Sequence, residues 1–226
     1  MRLITLGSGS SGNCYVLTNG TEALILDAGL PFMAVKIALK FQTRQIKGVI
    51  VTHRHGDHAS YIGDYAGTGI PVWTPYMAES LRQKQTFGRF KVASFECIHD
   101  VPCVGYLIEH PDIGRMLYAT DTEYVKYRFK GLQTMLIEAN YSDELANRRE
   151  AKYRHVLTGH MSIGTALDCI AANATDALRN VILCHLSGDS ADPVAFKLAA
   201  EEVAPENARV SIAEPGTVVD LRDVPF

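Results

Sequence analysis

Apolar runs of strand length recur along the chain, and turn or loop signals bound each of them. Short apolar runs of this kind are typical of buried strands. Eight runs are predicted as strands, over residues 2–6, 14–18, 23–27, 48–52, 104–109, 115–120, 134–139 and 180–185. Helical periodicity predicts helices over residues 32–41, 76–83, 162–173 and 193–203. This alternation predicts an α/β protein in which helices pack on sheets.

The alternation continues without a linker, a repeat or a block of like charges. The 226 residues are within the size of one α/β domain, so we expect a single domain over residues 1–226. The dipeptide Asn19-Gly20 separates the second and third runs. It favours a two-residue hairpin turn of type I′, which needs positive φ at both positions.

Charge and composition limit the classes of partner. The formal net charge of −3 argues against a broad cationic surface that would hold nucleic acid nonspecifically. The sequence opens without an apolar leader and contains no run of about 18 apolar residues, so we expect a cytoplasmic protein without a membrane partner. The five cysteines lack C-x-x-C spacing, and we expect reduced, buried thiols, with a ligand role left open for Cys184 beside His185.

The densest polar motif follows the predicted strand 48–52 and reads H-x-H-x-D-H from His53 to His58. Imidazole and carboxylate groups suit zinc. Donors this close in sequence can serve two ions only if His53 and His55 face one ion while Asp57 and His58 face the other. The spacing therefore predicts a binuclear metal site, and a solvated polar loop is the alternative.

With this string the chain resembles the metallo-β-lactamase superfamily, and the likeness covers nearly the whole sequence. The other motifs of the family occur in the expected order, with Asp27 before the string and His99, Asp121 and His185 after it. The resemblance implies a four-layer αββα sandwich. It also implies a hydrolase in which a hydroxide bridging two divalent ions attacks the substrate. The histidine-rich donor set favours Zn²⁺, and Mn²⁺ stays open.

The resemblance also implies a role for each residue. His53, His55 and His99 would bind the first ion, and Asp57, His58 and His185 the second. Asp121 would bind both ions. Asp27 would orient the ligands through hydrogen bonds. Taken singly, His99 and His185 could equally be ordinary histidines, and Asp27 or Asp121 could simply begin a turn.

A further pair narrows the reaction class. Glu138 and His160 resemble the glutamate and histidine of ribonuclease Z-like phosphodiesterases, where the histidine meets the scissile phosphate. Such a pair can stabilise negative charge and protonate a leaving oxygen. Asp57, Glu138 and His160 are therefore the candidate catalytic residues. The alternative makes His160 a residue that merely precedes a helix, and Glu138 a strand-end carboxylate with ordinary hydrogen bonds.

The opening glycine-rich loop is similar to that of the YycJ/WalJ subgroup, bacterial proteins associated with DNA exonuclease activity. Its Ser10, Ser11 and Asn13 are candidate phosphate contacts. The chain lacks the long insertion of ribonuclease Z and has no room for the β-CASP domain of ribonuclease J. The expected substrate is nucleic acid or another phosphodiester. A small-molecule hydrolase acting on a cyclic phosphodiester, lactone or thioester is the alternative, and a noncatalytic binding module is a third hypothesis.

Two groups of polar residues lie outside these motifs. A set of cations could contact phosphate near the site or form a solvated charged face: Arg54, Arg82, Lys84, Arg89 and Lys91. His110 and His155 match no motif, and both are expected at the surface. The sequence leaves the oligomeric state open.

Overall fold

The computed structural model describes residues 1–142, 144 and 158–221. The first part of the chain forms β1 (Arg2–Gly7), β2 (Cys14–Thr18), β3 (Ala23–Leu26), β4 (Ile46–Ile50) and β5 (Val72–Trp73), with helices α1 (Phe32–Ala38), α2 (Gly56–Ala59) and α3 (Ile62–Ala66). Then come β6 (Lys84–Phe87), β7 (Phe90–Glu96), β8 (Val104–His110), β9 (Gly114–Ala119) and β10 (Thr134–Glu138). The last part forms α4 (Ile163–Asn173), β11 (Asn180–Cys184), α5 (Pro193–Val203), β12 (Arg209–Ile212) and β13 (Val218–Asp220).

These strands form two sheets. The first sheet has the order β13-β1-β2-β3-β4-β5, and the second has the order β12-β11-β10-β9-β8-β7-β6. The pairs β3–β4 and β4–β5 are parallel, and so are the pairs from β9 to β12. Parallel neighbours bring their carboxyl ends to the same edge of a sheet, which favours a functional site there.

Apolar side chains from both sheets form the central core, in which Leu26 and Ile50 of the first sheet join Tyr106 and Leu136 of the second. The outer faces carry helices. Phe32 of α1 and Tyr65 of α3 pack on the first sheet, while α4 and α5 pack on the second. Each fully buried side chain of this size stabilises the fold by about 1.5–3 kcal/mol. The layers follow the predicted αββα order.

The hairpin predicted at Asn19-Gly20 is present, but its turn is not of type I′, because Gly20 has positive φ and Asn19 does not. β2 and β3 pair from Thr18 opposite Ala23, and the Asn19 N–H donates to the Glu22 carbonyl at 3.2 Å, so Gly20 and Thr21 form the loop. The Asn19 side-chain oxygen accepts hydrogen bonds from the backbone N–H groups of Thr21 and Glu22, at 3.0 and 2.9 Å. This side-chain cap stabilises the turn.

The predicted helix over residues 76–83 is wrong. Only a single 3₁₀ turn, Pro75–Met77, forms there, and the chain then runs beside β7. The Ser94 hydroxyl donates to the carbonyl of Leu81 at 2.6 Å and accepts from the N–H of Gln83 at 3.0 Å. These bonds hold residues 81–83 extended, so tertiary contacts override a weak local helical pattern.

His110 is buried, which corrects the expectation of a surface residue. Its side chain is 3% exposed, its Nε2 lies 3.3 Å from the Glu22 carboxylate, and its ring packs 4.5 Å from that of Phe90. Glu22 supplies the polar partner that a buried imidazole needs. His155 lies outside the described residues.

The five cysteines are free and buried, as the sequence predicts. Burial raises the pKa of the Cys14 thiol to about 12, so this group is a neutral thiol at neutral pH. Within the described residues, no helix is both long and apolar enough to cross a membrane.

Candidate metal centre

The predicted site residues converge where strands of both sheets end. Asp27 directly follows β3, and His53 follows β4 after a short loop. In the second sheet Asp121 follows β9 and His185 directly follows β11, while Glu138 is the last residue of β10. The candidate centre thus lies at one edge of the sandwich, between the two sheets.

The backbone bends sharply at three of these positions. Among the described residues, five residues other than glycine have positive φ, and three of them are Asp27, Asp121 and His185, at 60°, 51° and 52°. This conformation costs an ordinary residue about 1–2 kcal/mol, and such outliers cluster at functional sites. The bend turns each side chain from its strand into the space between the sheets.

Three histidines form the first donor group. His55 Nδ1 lies 3.0 Å from His53 Nε2 and 3.2 Å from His99 Nε2. The ring of His99 is fixed from behind, because its Nδ1 contacts the Gly159 carbonyl at 2.8 Å. That contact places the proton on Nδ1 and leaves Nε2 free to bind a metal. Asp100, which no motif singled out, contacts His55 and His99 from the solvent side, at 3.4 and 3.1 Å.

The second donor group is formed by Asp57, His58 and His185. His58 Nε2 lies 3.2 Å from an Asp57 oxygen, and His185 Nε2 lies 3.8 Å from the same oxygen. Asp121 joins this group to the first, since it lies with His53 and His58 in one cluster of donor atoms. Its Oδ2 is 3.0 Å from His58 Nε2 and 2.9 Å from His185 Nδ1.

These distances fit a metal site. A tetrahedral zinc ion with bonds of about 2.0–2.1 Å separates its ligand atoms by roughly 3.3 Å. The donor pairs above lie 2.9 to 3.8 Å apart. The donor set is also the one that zinc prefers, because imidazole nitrogen predominates and carboxylate oxygen completes it.

The electrostatics of the first donor group and of Asp121 point in the same direction, whereas, despite burial, the carboxylates around His58 and His185 raise the pKa of both rings. Burial lowers the pKa of His53 far below its usual range and also lowers the pKa of His99, so both rings stay neutral and can bind a cation. Burial favours the neutral form of Asp121 too, yet His185 and His58 together hold its pKa well below the usual range. A buried carboxylate of this kind costs on the order of several kcal/mol unless positive charge accompanies it.

Asp27 holds this assembly in place. Its carboxylate accepts hydrogen bonds from the Thr52 N–H at 2.7 Å and from the Tyr118 hydroxyl at 2.5 Å, and it contacts His58 Nδ1 at 2.7 Å. The last contact orients the imidazole so that Nε2 faces Asp57 and Asp121. Asp27 is fully buried, which fits an orienting role better than contact with substrate.

The glycine-rich loop places its polar residues differently from the expected phosphate contacts. Asn13 is fully buried, and its amide contacts the Gly9 carbonyl, Asp57 and His58, at 3.0, 3.2 and 2.9 Å. It supports the second donor group and is not free to contact phosphate. Ser10 and Ser11 are exposed and stay candidates. Ser8 was missed: its hydroxyl accepts from the His185 N–H at 2.9 Å.

Glu138 and His160 form a close pair beside Asp121. His160 Nδ1 lies 2.7 Å from one Glu138 oxygen and 3.4 Å from an Asp121 oxygen. The other Glu138 oxygen accepts from the N–H groups of Thr122 and Met161, both at 3.2 Å. Burial opposes the charged form of His160, but Glu138 and Asp121 raise its pKa to about 9.

The position of His160 favours a functional role over the alternative that it merely precedes a helix. Its ring lies 5.6 Å from that of His99 and 5.3 Å from that of His185, between the two donor groups. The cap of α4 is Ser162, whose hydroxyl accepts from the Thr165 N–H. The helix therefore begins without help from the His160 side chain.

Two threonines also hold the site, and sequence reasoning missed them. Thr52 contacts Asp27, His53 and His58 through its hydroxyl, at 3.1 to 3.3 Å. The Thr120 hydroxyl donates to Asp121 at 2.7 Å. Each threonine immediately precedes a predicted ligand, and that adjacency was the only available signal.

Known proteins carry the same sequence and fold pattern. Residues 7–88 match the family model described as the metallo-beta-lactamase superfamily. The matched residues include the string from His53 to His58. The match covers about a third of the chain, so it is a likeness to the family over these residues. Exodeoxyribonuclease YycJ of Bacillus anthracis is 28% identical over 218 residues, covering 82% of each chain.

Solved structures show the same fold. The metallo-beta-lactamase fold protein YhfI from Bacillus subtilis superposes with a TM-score of 0.72 at 18% identity, covering 96% of this chain and 98% of that one. The short form of human tRNase Z gives a TM-score of 0.65 at 14% identity, covering 99% of this chain and 100% of that one. These superpositions confirm the expected αββα fold. The curated relative with the same sequence pattern is named as an enzyme.

Proposed function

We propose that the protein is a binuclear metal-dependent phosphodiesterase that cleaves nucleic acid, with DNA as the principal substrate. The observation that carries this proposal is the Glu138–His160 pair. It lies between the two donor groups, with His160 Nδ1 2.7 Å from Glu138. A histidine held in this way suits a reaction in which negative charge develops on phosphorus oxygens and an alkoxide departs.

The proposed ligand sets follow the donor groups. His53, His55 and His99 would hold one ion, Asp57, His58 and His185 the other, and Asp121 both. When bound, two such ions lower the pKa of a shared water and neutralise charge on the phosphate. Zn²⁺ is our first choice because nitrogen donors predominate, and Mn²⁺ is tested beside it.

The chain's own residues divide the remaining work. Glu138 keeps the proton of His160 on Nδ1 and fixes the ring, which leaves Nε2 to face the substrate. His160 Nε2 would contact the scissile phosphate and assist the departing oxygen. Asp57 is a candidate catalytic residue beside the attack position, and Asn13 fixes its carboxylate. Asp27 fixes His58 from behind.

Sequence similarity supports the choice of substrate. The relative from Bacillus anthracis is named an exodeoxyribonuclease, and the similarity to it covers 82% of this chain. The same site could also accept smaller phosphodiesters, because the donor groups themselves do not select what is attached to the phosphate.

The decisive experiment is a substrate panel. Protein purified without chelator is assayed for metal content, loaded with Zn²⁺ or Mn²⁺, and incubated with linear DNA, RNA, bis(p-nitrophenyl) phosphate, a lactone and a thioester. We expect cleavage of DNA and of the small phosphodiester, abolished by chelator and restored by metal. Turnover of the lactone or thioester without any phosphodiester cleavage would contradict the proposal. Turnover of only the small phosphodiester would favour a small-molecule enzyme.

A further inference from the structure

The outer face of the second sheet is covered unevenly. α4 packs against β10, and α5 packs against β12. The outer face of β6 to β9 instead borders two open cavities of about 510 and 330 Å³. Both are lined by Thr86, Lys91, Glu109 and Arg115, so they form one continuous depression. We call it the strand groove.

Strand register defines its floor. On β7, Phe90 and Val92 point into the central core, so Lys91 and Ala93 point outward. Lys91 stands opposite Glu109 of β8, and Glu109 stands opposite Arg115 of β9. The strand groove therefore crosses three neighbouring strands, with β6 along one side.

Positive charge dominates the strand groove. Its lining contains four cations, Lys84, Arg89, Lys91 and Arg115, against the single carboxylate of Glu109. This imbalance contrasts with the formal net charge of −3 for the whole chain. From the sequence, Lys84, Arg89 and Lys91 are possible phosphate contacts near the metal site. The structure instead places these three cations along the strand groove.

Two of the cations have no carboxylate partner in the part of the chain that the structure describes. Arg115 pairs with Glu109 at 3.0 Å, and Arg89 pairs with Glu22 at 3.0 Å. Lys84 and Lys91 are exposed and form no ion pair with any carboxylate that the structure describes. Unpaired lysines in a polar depression favour an anionic partner, because complementary charge guides binding.

Strand β7 leads from the strand groove toward the metal centre. β7 runs from the groove toward His99, and Lys91 precedes the end of that strand at Glu96 by about 17 Å of extended chain. The segment after Asp121 runs back beside β7 and β9. Lys126 contacts Glu96 of β7 at 3.3 Å, and the carbonyl of Lys130 accepts a hydrogen bond from Arg115 of β9.

This bordering segment carries rings and cations. Tyr124 is 47% exposed near Asp121, and the Tyr127 hydroxyl accepts a hydrogen bond from Arg82 at 2.8 Å. Tyr127 is half-buried, so Tyr124 is the exposed ring of this segment. Proteins that bind single strands commonly place phosphates on cations and stack bases on aromatic rings.

We propose that the strand groove binds the backbone of single-stranded DNA that extends from the metal centre, with Lys84 and Lys91 as the principal phosphate contacts. The inference rests on the proposed function and adds the path of the substrate. Several nucleotides lie between the metal centre and these lysines, so short substrates do not reach them.

The test compares two charge-reversed variants. Lys84→Glu/Lys91→Glu alters the strand groove. Lys40→Glu/Arg44→Glu makes the same change in net charge at exposed residues beyond α1, on the first-sheet side. Binding of a labelled 12-nucleotide single strand is measured by fluorescence anisotropy over a range of salt. Hydrolysis of bis(p-nitrophenyl) phosphate by the metal-loaded proteins is measured in parallel.

We expect the groove variant to bind the 12-mer at least about tenfold more weakly at low salt, while the control variant binds like the unmodified protein. In the neutral variant Lys84→Ala/Lys91→Ala, log affinity should depend less steeply on log salt, with a slope smaller in magnitude by about 1.4. Affinity for a dinucleotide should be the same in all variants. Hydrolysis of the small phosphodiester should also be unchanged.

Two results would overturn the groove assignment. One is equal loss of affinity in both charge-reversed variants, which would indicate only general electrostatics. The other is unchanged 12-mer binding by the groove variant. Failure of the proposed function has a different signature: the unmodified, metal-loaded protein would cleave no phosphodiester, whatever the binding measurements give.

Discussion

Asp121 contacts donors of both proposed ligand sets. Its Oδ2 lies 3.0 Å from His58 and 2.9 Å from His185, and it clusters with His53 as well. It is 2% exposed, so its charge has little solvent to stabilise it and depends on cationic neighbours.

Replacing this carboxylate should therefore remove an ion. We expect Asp121→Ala to retain at most one ion per chain and to lose activity at least about a hundredfold, with an unchanged far-UV circular dichroism spectrum. Elemental analysis and turnover of bis(p-nitrophenyl) phosphate provide the measurements. Asp64→Ala, at an exposed carboxylate in α3, is the control and should keep both ions. Two ions retained in Asp121→Ala would remove Asp121 from the ligand set.

His160 should affect turnover without affecting metal content. We expect His160→Ala to lower kcat by roughly 10²- to 10⁴-fold with a small change in KM, because its contribution arises as the leaving oxygen departs. Glu138→Gln should lower kcat less than His160→Ala does, since the amide can still fix the ring of His160. Metal analysis of both variants should give the stoichiometry of the unmodified protein. Unchanged kcat in His160→Ala would exclude it from the reaction.

The residues of the site differ in how well the sequence could predict them. The H-x-H-x-D-H string is dense enough to indicate metal binding by itself, and the motif order brought in Asp27, His99, Asp121 and His185. Ser8, Thr52 and Thr120 carry no such pattern, because a hydroxyl that orients a ligand is common everywhere in sequence. The Asn13 amide points inward, to Asp57 and His58, and a glycine-rich loop in the sequence does not show whether such an amide points outward or inward.

At the scale of elements, strands were easier to predict than the connections between them. All eight predicted strands are present, because a buried strand has a continuous apolar run. Five strands were missed: β5, which has only two residues, and β6, β7, β12 and β13. The sequences of the last four mix exposed and buried residues, as in β6, where residues 84–86 are exposed and Phe87 is buried. The helix expected at 76–83 was lost to the hydrogen bonds of Ser94, a contact that no local pattern encodes.

The loop before α4 offers a test of how an element positions a ligand. Gly159 has φ +106°, and a Cβ placed there would lie 2.4 Å from His99 Nδ1. We expect Gly159→Ala to displace His99 and reduce metal stoichiometry toward one ion per chain. Gly131→Ala is a matched control, because Gly131 also has positive φ and a Cβ there meets nothing within 4 Å. Both variants should lose about 1–2 kcal/mol of stability, and only the first should lose metal. Equal metal content in the two would contradict this role of Gly159.

At the scale of the whole molecule, the proposed ions would join the two sheets. His53 to His58 follow a strand of the first sheet, whereas Asp121 and His185 follow strands of the second. The single domain expected over residues 1–226 stays a prediction. The sandwich itself could be anticipated from alternating strands and helices, whereas the strand groove on the outer face of β6 to β9 could not, because these strands were only partly predicted.

Metal removal should therefore weaken the whole fold. At a metal concentration of about a hundred times Kd, binding stabilises the folded state by about 2.7 kcal/mol, so chelator should lower Tm by roughly 5–10 °C. Differential scanning fluorimetry with chelator, followed by added Zn²⁺, measures the loss and its recovery. Asp121→Ala should show a smaller shift. Identical melting curves, with metal loss verified by elemental analysis, would show that the ions do not stabilise the folded state.

The left-handed backbone at Asp27, Asp121 and His185 has an evolutionary consequence. Glycine would adopt these angles at less cost than the residues present. Each position therefore gives up some stability of the folded state and keeps a functional side chain. A library selected only for heat resistance should accumulate glycine at these three positions, whereas one selected for turnover should keep the strained residues.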